Sequence, residues 1–295
     1  MLTKNAFIFP GQGSQYQGML KKIEKFEITK RYLGIFKDIL GYSFENMTDE
    51  ELLPTSVTQP SLYTVSAIYF EILKEKGIIP FIVAGHSLGE FSALYASEFF
   101  SFNDGLKIVS FRGKIMEEVA KAIPGCMAAI IGLREEVVYE ICLKASKYGV
   151  VEPVNFNSLD QIVISGVNEA LDKACILAKE KGAKIVKKLN VSAPFHSSLM
   201  LPLREKFAEK LNEFTFSNPK FPVVQNYDGE VHADPLIIKQ NLIYQLNNPV
   251  LWNKSLDTMR ARGAKEFIEV GPKKVLTNIC ISKGLSAKSS EDLIN

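Results

Sequence analysis

Along the chain, apolar positions alternate between two rhythms. A short apolar run, Ala6 to Phe9, leads into the glycine-rich turn Pro10-Gly11-Gln12-Gly13-Ser14, and helical patterns follow. Thr48-Asp49-Glu50-Glu51 reads as a capping box. Thr58-Gln59-Pro60 is expected to open a helix with proline in its first turn and Gly77 past its end. Within it Leu62, Val65, Ile68, Tyr69, Ile72 and Leu73 keep the i, i+3, i+4 spacing of one buried face. Phe81 to Ala84 is wholly apolar, as strands covered on both faces are. A helical run, Phe91 to Ala96, comes next, and Ser101 is expected to cap a long helix reaching about Ile123.

From Cys126 the pattern becomes strand (Cys126 to Ile131), helix (Arg134 to Tyr148), strand (Val151 to Asn157), strand (Gln161 to Ser165), helix (Asn168 to Lys181), strand (Lys184 to Val191). That βαββαβ order is the ferredoxin-like arrangement, complete in itself, and predicts a small subdomain over residues 125–192. After Ala193-Pro194 alternation resumes: helix Leu199 to Phe214, strand Phe221 to Asn226, helix Leu236 to Leu246, strand Glu266 to Val270 and a helix from Lys273. The expected fold class is α/β. Residues 1–124 and 193–295 would form a large body with a largely parallel sheet, interrupted by the insertion.

Composition narrows the function classes. With 46% hydrophobic and 23% charged residues the 295-residue chain has a globular makeup, and no low-complexity linker or repeat breaks it. Thirty-five basic against 33 acidic residues leave +2, which argues against a surface built for nucleic acid or an anionic membrane. Cys126, Cys142, Cys175 and Cys280 are widely spaced, with no histidine at metal-ligand spacing, so buried thiols and no metal site are expected. The first residues carry no signal-peptide pattern and no apolar run reaches membrane-spanning length, so a free-standing cytoplasmic protein is expected.

The strongest chemical signal is Gly85-His86-Ser87-Leu88-Gly89-Glu90, a G-x-S-x-G sequence set between a buried strand and a helical run. A nucleophile elbow needs that context, because small flanking residues let the backbone turn sharply and lift the serine hydroxyl above the sheet. The helix following Ser87 would aim its free N–H groups at developing negative charge, which makes the Leu88 amide an oxyanion donor.

A serine needs a base. Of three histidines, His86 adjoins Ser87 on the turn and reads as a support, and His232 falls in a polar turn. His196 follows the extended run Ser192 to Phe195 and can be aimed across a cleft; the alternative is a buried, hydrogen-bonded histidine. A partnering acid is harder to find, since Asp160 and Asp172 fall in the inserted unit, and a neutral carbonyl could orient the imidazole instead.

Arg112 sits on the apolar stripe of its helix among Ile108, Val109, Ile115 and Met116. Two readings stand side by side: an arginine that snorkels or pairs with a structural carboxylate, and a fork for a substrate carboxylate or phosphate. The Gly11-Gln12-Gly13-Ser14 turn lacks the P-loop lysine and does not fit G-x-G-x-x-G, so it suits a second oxyanion donor better than a nucleotide.

Taken together these residues resemble the malonyl-CoA:acyl carrier protein transacylases of fatty-acid synthesis and the related acyltransferase domains of polyketide synthases. The resemblance spans nearly the whole chain. It rests on Phe9-Pro10-Gly11-Gln12-Gly13-Ser14-Gln15, Thr58-Gln59-Pro60, Gly85-His86-Ser87-Leu88-Gly89-Glu90, Arg112-Gly113, Asn155-Phe156-Asn157-Ser158, Phe195-His196-Ser197, Gln245-Leu246-Asn247-Asn248-Pro249-Val250 and Glu269-Val270-Gly271-Pro272. It implies an α/β-hydrolase-like body with a ferredoxin-like insertion.

It further implies that Ser87 is acylated, that His196 is its base, and that the N–H groups of Gln12 and Leu88 form the oxyanion hole. Arg112 would grip the malonyl carboxylate, Asn155 would line the cleft, and Gln245 would accept the His196 N–H through its side-chain amide oxygen. Leu88 and Phe195 would disfavour a branched acyl group. The implied reaction passes malonyl from malonyl-CoA to the phosphopantetheine thiol of acyl carrier protein by a ping-pong route, with no cofactor of its own, in a monomer. Leu159-Asp160 departs from the family's Pro-Gly at that loop. A serine esterase or thioesterase would need no buried cation, and a carrier-protein-binding module without activity would show a broken site. Lys184, Lys187 and Lys188 fit either an acidic partner or a solvated strand face.

Overall fold

The computed structural model describes residues 4–191 and 193–294. Ser192, expected to begin the extended run before His196, lies outside them. The elements run β1 (Asn5–Phe9), α1 (Glu27–Leu40), α2 (Thr55–Glu75), β2 (Ile82–Gly85), α3 (Gly89–Ala96), α4 (Phe102–Ala122), β3 (Gly125–Ile131), α5 (Glu135–Ala145), β4 (Val151–Phe156), β5 (Gln161–Val167), α6 (Asn168–Glu180) and β6 (Ile185–Lys188). They continue with α7 (Leu203–Asn212), β7 (Val223–Val224), β8 (Val231–His232), α8 (Pro235–Gln245), α9 (Trp252–Ala261), β9 (Glu266–Glu269), α10 (Val275–Ser282) and β10 (Ala287–Ser289).

Two sheets result. The larger has the order β10-β9-β1-β2-β7-β8, parallel from β10 to β7 and antiparallel only at β8. Its central strands are fully buried: Phe7, Phe9 and Val83 face one apolar cluster, Ala6, Ile8, Ile82 and Ala84 another. Such a sheet needs helices on both faces, which is why these strands are apolar throughout. The smaller sheet has the order β4-β5-β3-β6, all antiparallel, and α5 and α6 pack on it around a separate core. This is the ferredoxin-like topology that the βαββαβ order predicts.

Because β1, β2, β7 and β9 run the same way, the loops leaving their carboxyl ends gather on one edge of the large sheet. Open parallel sheets bind their ligands there. Phe9 pairs with Gly85, so the Pro10-to-Gln15 turn and the Ser87 elbow start at the same level on adjacent strands.

Several expectations shift in detail. Thr48 and Glu51 do make the reciprocal bonds of a capping box, Glu51 N to Thr48 Oγ1 at 3.3 Å and Thr48 N to Glu51 Oε2 at 2.8 Å. They close a turn that Pro54 stops rather than a helix. The next helix, α2, begins at Thr55, so Pro60 is interior and not in the first turn. The extra turn is held by packing: it lies so close on α4 that a Cβ at Gly113 would meet the Thr55 carbonyl oxygen at 2.7 Å, and Ser56 N–H donates to Glu117 at 3.2 Å. Strands expected over Phe221 to Asn226 and Lys184 to Val191 shrink to Val223–Val224 and Ile185–Lys188. The helix expected over Leu199 to Phe214 starts as a 3₁₀ turn, Ser198–Met200, and becomes α-helical at Leu203. Helix α9 and strand β10 add to the pattern.

Glu269 shows how one motif serves the fold. At the end of β9 its carboxylate accepts the Leu276 and Thr277 N–H groups at 3.0 and 2.7 Å, satisfying free donors at the start of α10. Among the described residues no helix is long and apolar enough to cross a membrane, and no group of His, Cys, Asp and Glu is placed to hold a metal ion.

Candidate active site

The elbow forms because the chain around Ser87 has no room for side chains. A Cβ on Gly85 would lie 1.9 Å from the Gly89 carbonyl, and one on Gly89 would lie 2.0 Å from Phe9 O. Ser87 itself has φ +52, a left-handed conformation costing about 1–2 kcal/mol for a residue with a side chain. The turn is paid for locally: Asn226, just past β7, accepts the Ser87 N–H at 2.7 Å and donates to Gly85 O at 2.6 Å. After the serine, the Gly89, Glu90 and Phe91 amides bond back to His86, Ser87 and Leu88 carbonyls. No acceptor among the described residues takes the Leu88 N–H, and Leu88 is already helical (φ −51, ψ −39).

His196 arrives from the other side of the cleft, also left-handed (φ +62) and buried. Its Nε2 lies 2.8 Å from Ser87 Oγ. Its Nδ1 lies 2.8 Å from the backbone oxygen of Gln245, so Nδ1 carries the proton and Nε2 is free to accept the serine hydroxyl. Burial, and next the Arg112 charge, push its pKa down to about 3, which keeps the imidazole neutral.

The expected use of the Gln245 side chain is therefore corrected. Gln245 is the last residue of α8, and the last carbonyls of a helix have no intrahelical partner. That free carbonyl, at the negative end of the helix, takes the His196 N–H. The side chain is committed elsewhere: its Oε1 accepts from Arg112 at 2.9 Å, and its Nε2 donates to Glu90 at 2.9 Å and to Ser87 O at 3.1 Å.

Arg112, on α4, is 1% exposed and makes no ion pair with a carboxylate among the described residues. Its guanidinium donates to Gln59 Oε1 at 2.8 Å, Gln245 Oε1 at 2.9 Å and Ser87 Oγ at 3.3 Å, lies over the Phe91 ring, and leaves Nε without a partner. Desolvation lowers its pKa to about 10, which leaves it charged. Of the two sequence readings, the snorkelling and structural-pair forms do not describe it: this is a buried cation held by neutral amides and aimed at the serine.

Gln12, Leu88, Arg112, Asn155 and His196 line one cavity of about 70 Å³ with Ser87. The Gln12 side chain is tied to Thr55 at 3.3 Å. Asn155, on β4 of the small sheet, is nearly buried with its Oδ1 unpartnered. A larger groove of about 780 Å³, running along Tyr139, Cys142, Leu143 and Val150 and past Asn248, also ends at His196.

The other candidates make no bond to Ser87 or His196, although His86 also lines the Ser87 cavity. His86 hydrogen-bonds Asn157 Oδ1 at 2.9 Å and stacks edge-on against Trp252, a supporting role. His232 pairs with Asp228 at 2.7 Å. Asp172 pairs with Lys188, and Asp160 accepts from Ser158 at 3.0 Å; neither reaches His196.

Sequence reasoning missed Glu90, Gln225 and Asn226. Glu90 is wholly buried beneath the elbow, its oxygens taking the Gln225 side chain at 2.9 Å, the Asn226 N–H at 2.8 Å and Gln245 at 2.9 Å. Burial outweighs these donors and pushes its pKa up to about 7. A charge inside an otherwise buried helix is the signal that singled out Arg112, and it applies equally to Glu90 on α3. Asn226 carries no such mark.

The model of the acyl transferase domain family matches residues 6–293. The chain is 41% identical over 284 residues to a malonyl CoA-acyl carrier protein transacylase of Escherichia coli strain K12, covering 94% of this chain and 92% of that protein. The solved structure of the malonyl CoA-acyl carrier protein transacylase from Coxiella burnetii superposes with a TM-score of 0.96 at 37% identity, covering 100% of this chain and 96% of that one. A malonyl-transacylase solved in complex with a type II polyketide-synthase acyl carrier protein superposes at 0.95 with 36% identity and 99% of each chain covered. The chain belongs to the acyl transferase family, among the malonyl CoA-acyl carrier protein transacylases.

Proposed function

We propose that the chain transfers malonyl groups from malonyl-CoA to the phosphopantetheine thiol of acyl carrier protein, in fatty-acid synthesis, through a malonyl-Ser87 intermediate. The observation that carries this reading is the Arg112 guanidinium in the serine's own cavity, a buried cation lacking a carboxylate partner. A substrate bearing a free carboxylate supplies that partner, and a bidentate carboxylate suits the arginine fork.

Ser87 Oγ attacks the thioester carbon as its proton passes to His196 Nε2. The resulting oxyanion is held by the Leu88 and Gln12 N–H groups, each donor of this kind being worth about 2.7–4 kcal/mol. Collapse breaks the C–S bond, and the CoA sulfur leaves with the proton from His196. The pantetheine thiol then repeats these steps in reverse order of proton transfer and collects the acyl group. The imidazolium is stabilised by the Gln245 carbonyl and the negative end of α8. Asn155 lines the cleft from the small subdomain, for which we propose residues 125–192, the large one being 1–124 and 193–295. The thioesters arrive as substrates, and the reaction draws on no resident cofactor.

Intact mass after mixing with malonyl-CoA should show a malonyl adduct that Ser87→Ala abolishes; an adduct surviving that change would refute the nucleophile. Arg112→Ala should lower kcat/KM for malonyl-CoA by a factor of about 10²–10³ while acetyl-CoA loses far less, as when a charged, buried hydrogen-bond partner is removed. Equal losses would sink the carboxylate role of Arg112.

A further inference from the structure

Among the described residues four non-glycines have positive φ: Ser87, Glu98, His196 and Lys273. The first and third are the reacting pair. Glu98 follows the end of α3, and its neighbour Phe99 bonds back to Leu94 O at 3.0 Å, the ordinary left-handed way to finish a helix. Lys273, at φ +65, ends no helix. It lies in the loop between β9 and α10, on the sheet edge that carries the site. Backbone held in such a region at such a place asks for a compensating interaction.

The side chain supplies one. Lys273 Nζ donates to Gly13 O at 3.1 Å and Gln15 O at 3.0 Å, with its charge over the Tyr16 ring. Those carbonyls belong to the turn that presents Gln12. The two loops leave adjacent parallel strands, Val270 N still bonding Ile8 O at 2.8 Å, and remain in contact: a Cβ on Gly271 would lie 2.8 Å from the Pro10 ring. The turn's other ties include two local bonds, Ser14 N to Gly11 O at 3.3 Å and Gly13 N to the side chain of its neighbour Gln15 at 2.7 Å, and the bond from the Gln12 side chain to Thr55 at 3.3 Å. A turn with glycine on both sides of Gln12 has many conformations open to it, whereas an oxyanion donor must be fixed before charge develops.

We propose that Lys273 is a positioning residue: its ammonium, held between two carbonyls, fixes the Gly11-to-Gln15 turn so that the Gln12 N–H faces the oxygen of the reacting thioester. The inference rests on the reading of Gln12 as an oxyanion donor. Lys273→Met removes the ammonium and keeps the backbone constraint, Lys273→Arg keeps a cationic donor, and Lys273→Gly removes both the ammonium and the strain.

The measurement is kcat and KM for malonyl and acetyl transfer, beside thermal unfolding of the same samples. Lys273→Met and Lys273→Gly should lose about tenfold in kcat, a part of the 10²–10³ lost when a donor is deleted outright, with KM nearly unchanged and both acyl groups affected alike. Lys273→Arg should recover at least half of the loss. Lys273→Gly should melt no lower than the parent, so that activity and stability part company. Wild-type kcat in Lys273→Met, or equal losses in the Met and Arg variants, would overturn the proposal. Gln12→Pro, which deletes the N–H itself, separates the two readings: wild-type kcat there means Gln12 is no donor, whereas a loss there with none in Lys273→Met defeats the lysine's role alone.

Discussion

Among the described residues no carboxylate stands behind His196. A carbonyl at a helix end orients the ring, and burial with the Arg112 charge holds the imidazole far below its ordinary pKa, at about 3. Titrated by NMR, its ring signals should stay those of the neutral form down to pH 5, assigned by their loss in His196→Gln. A midpoint near 6.5 would contradict the desolvated environment described. The same shift sets a sign for stability. A base whose folded pKa is lowered binds fewer protons folded than unfolded, so His196 makes the protein less stable as pH falls from about 6.5 toward 3. Glu90, an acid raised to about 7, acts oppositely: its contribution is present below the usual glutamate value of 4.5 and is lost as pH rises toward 7. Between about pH 4.5 and 6.5 the two oppose each other.

At the scale of elements, the ends of helices frame the candidate site: the start of α3 adjoins the serine, and the carbonyl at the end of α8 accepts the His196 N–H. Ends are also where unneeded strain can be removed. Glu98, φ +60 and joined only to exposed Lys220, sits at such an end far from any proposed role. Glu98→Gly should raise stability by up to about 1 kcal/mol in a denaturant titration, the relief of left-handed strain less the chain entropy of glycine and a weak surface pair. A lower midpoint would show the ion pair to matter more.

What the sequence reveals divides along the same lines. The βαββαβ insertion, the elbow and α4 are legible because their patterns are long or their residues violate their surroundings, as Arg112 does on an apolar stripe. Gln245 is legible as a position and misleading as a group, since sequence names side chains while the acceptor is a backbone atom freed by the end of α8. Strands β7 and β8, two residues each, carry no period to read. Helix α9 does carry one in Trp252, Leu256 and Met259, but within a helix of only 10 residues.

Across the whole molecule, the near balance of 35 basic and 33 acidic residues says little, because almost all of them are at the surface. Among the described residues the interior places Arg112 and Glu90 on opposite sides of the Gln245 amide, with Glu269 and Glu291 buried elsewhere. Both sheets contribute to the cavity, Ser87 from the elbow after β2 and Asn155 from β4, so it lies where the two packing units meet.

In the proposed reaction Arg112 has a second effect besides grip: after burial, its charge is the next cause that holds the His196 pKa down. A carboxylate bound at the guanidinium, as proposed, would offset that charge and raise the proton affinity of the imidazole. The consequence is measurable: the acid limb of the kcat profile, which reports the loaded site, should lie at higher pH with malonyl-CoA than with acetyl-CoA. Coincident limbs would mean that cargo and base are electrically deaf to one another.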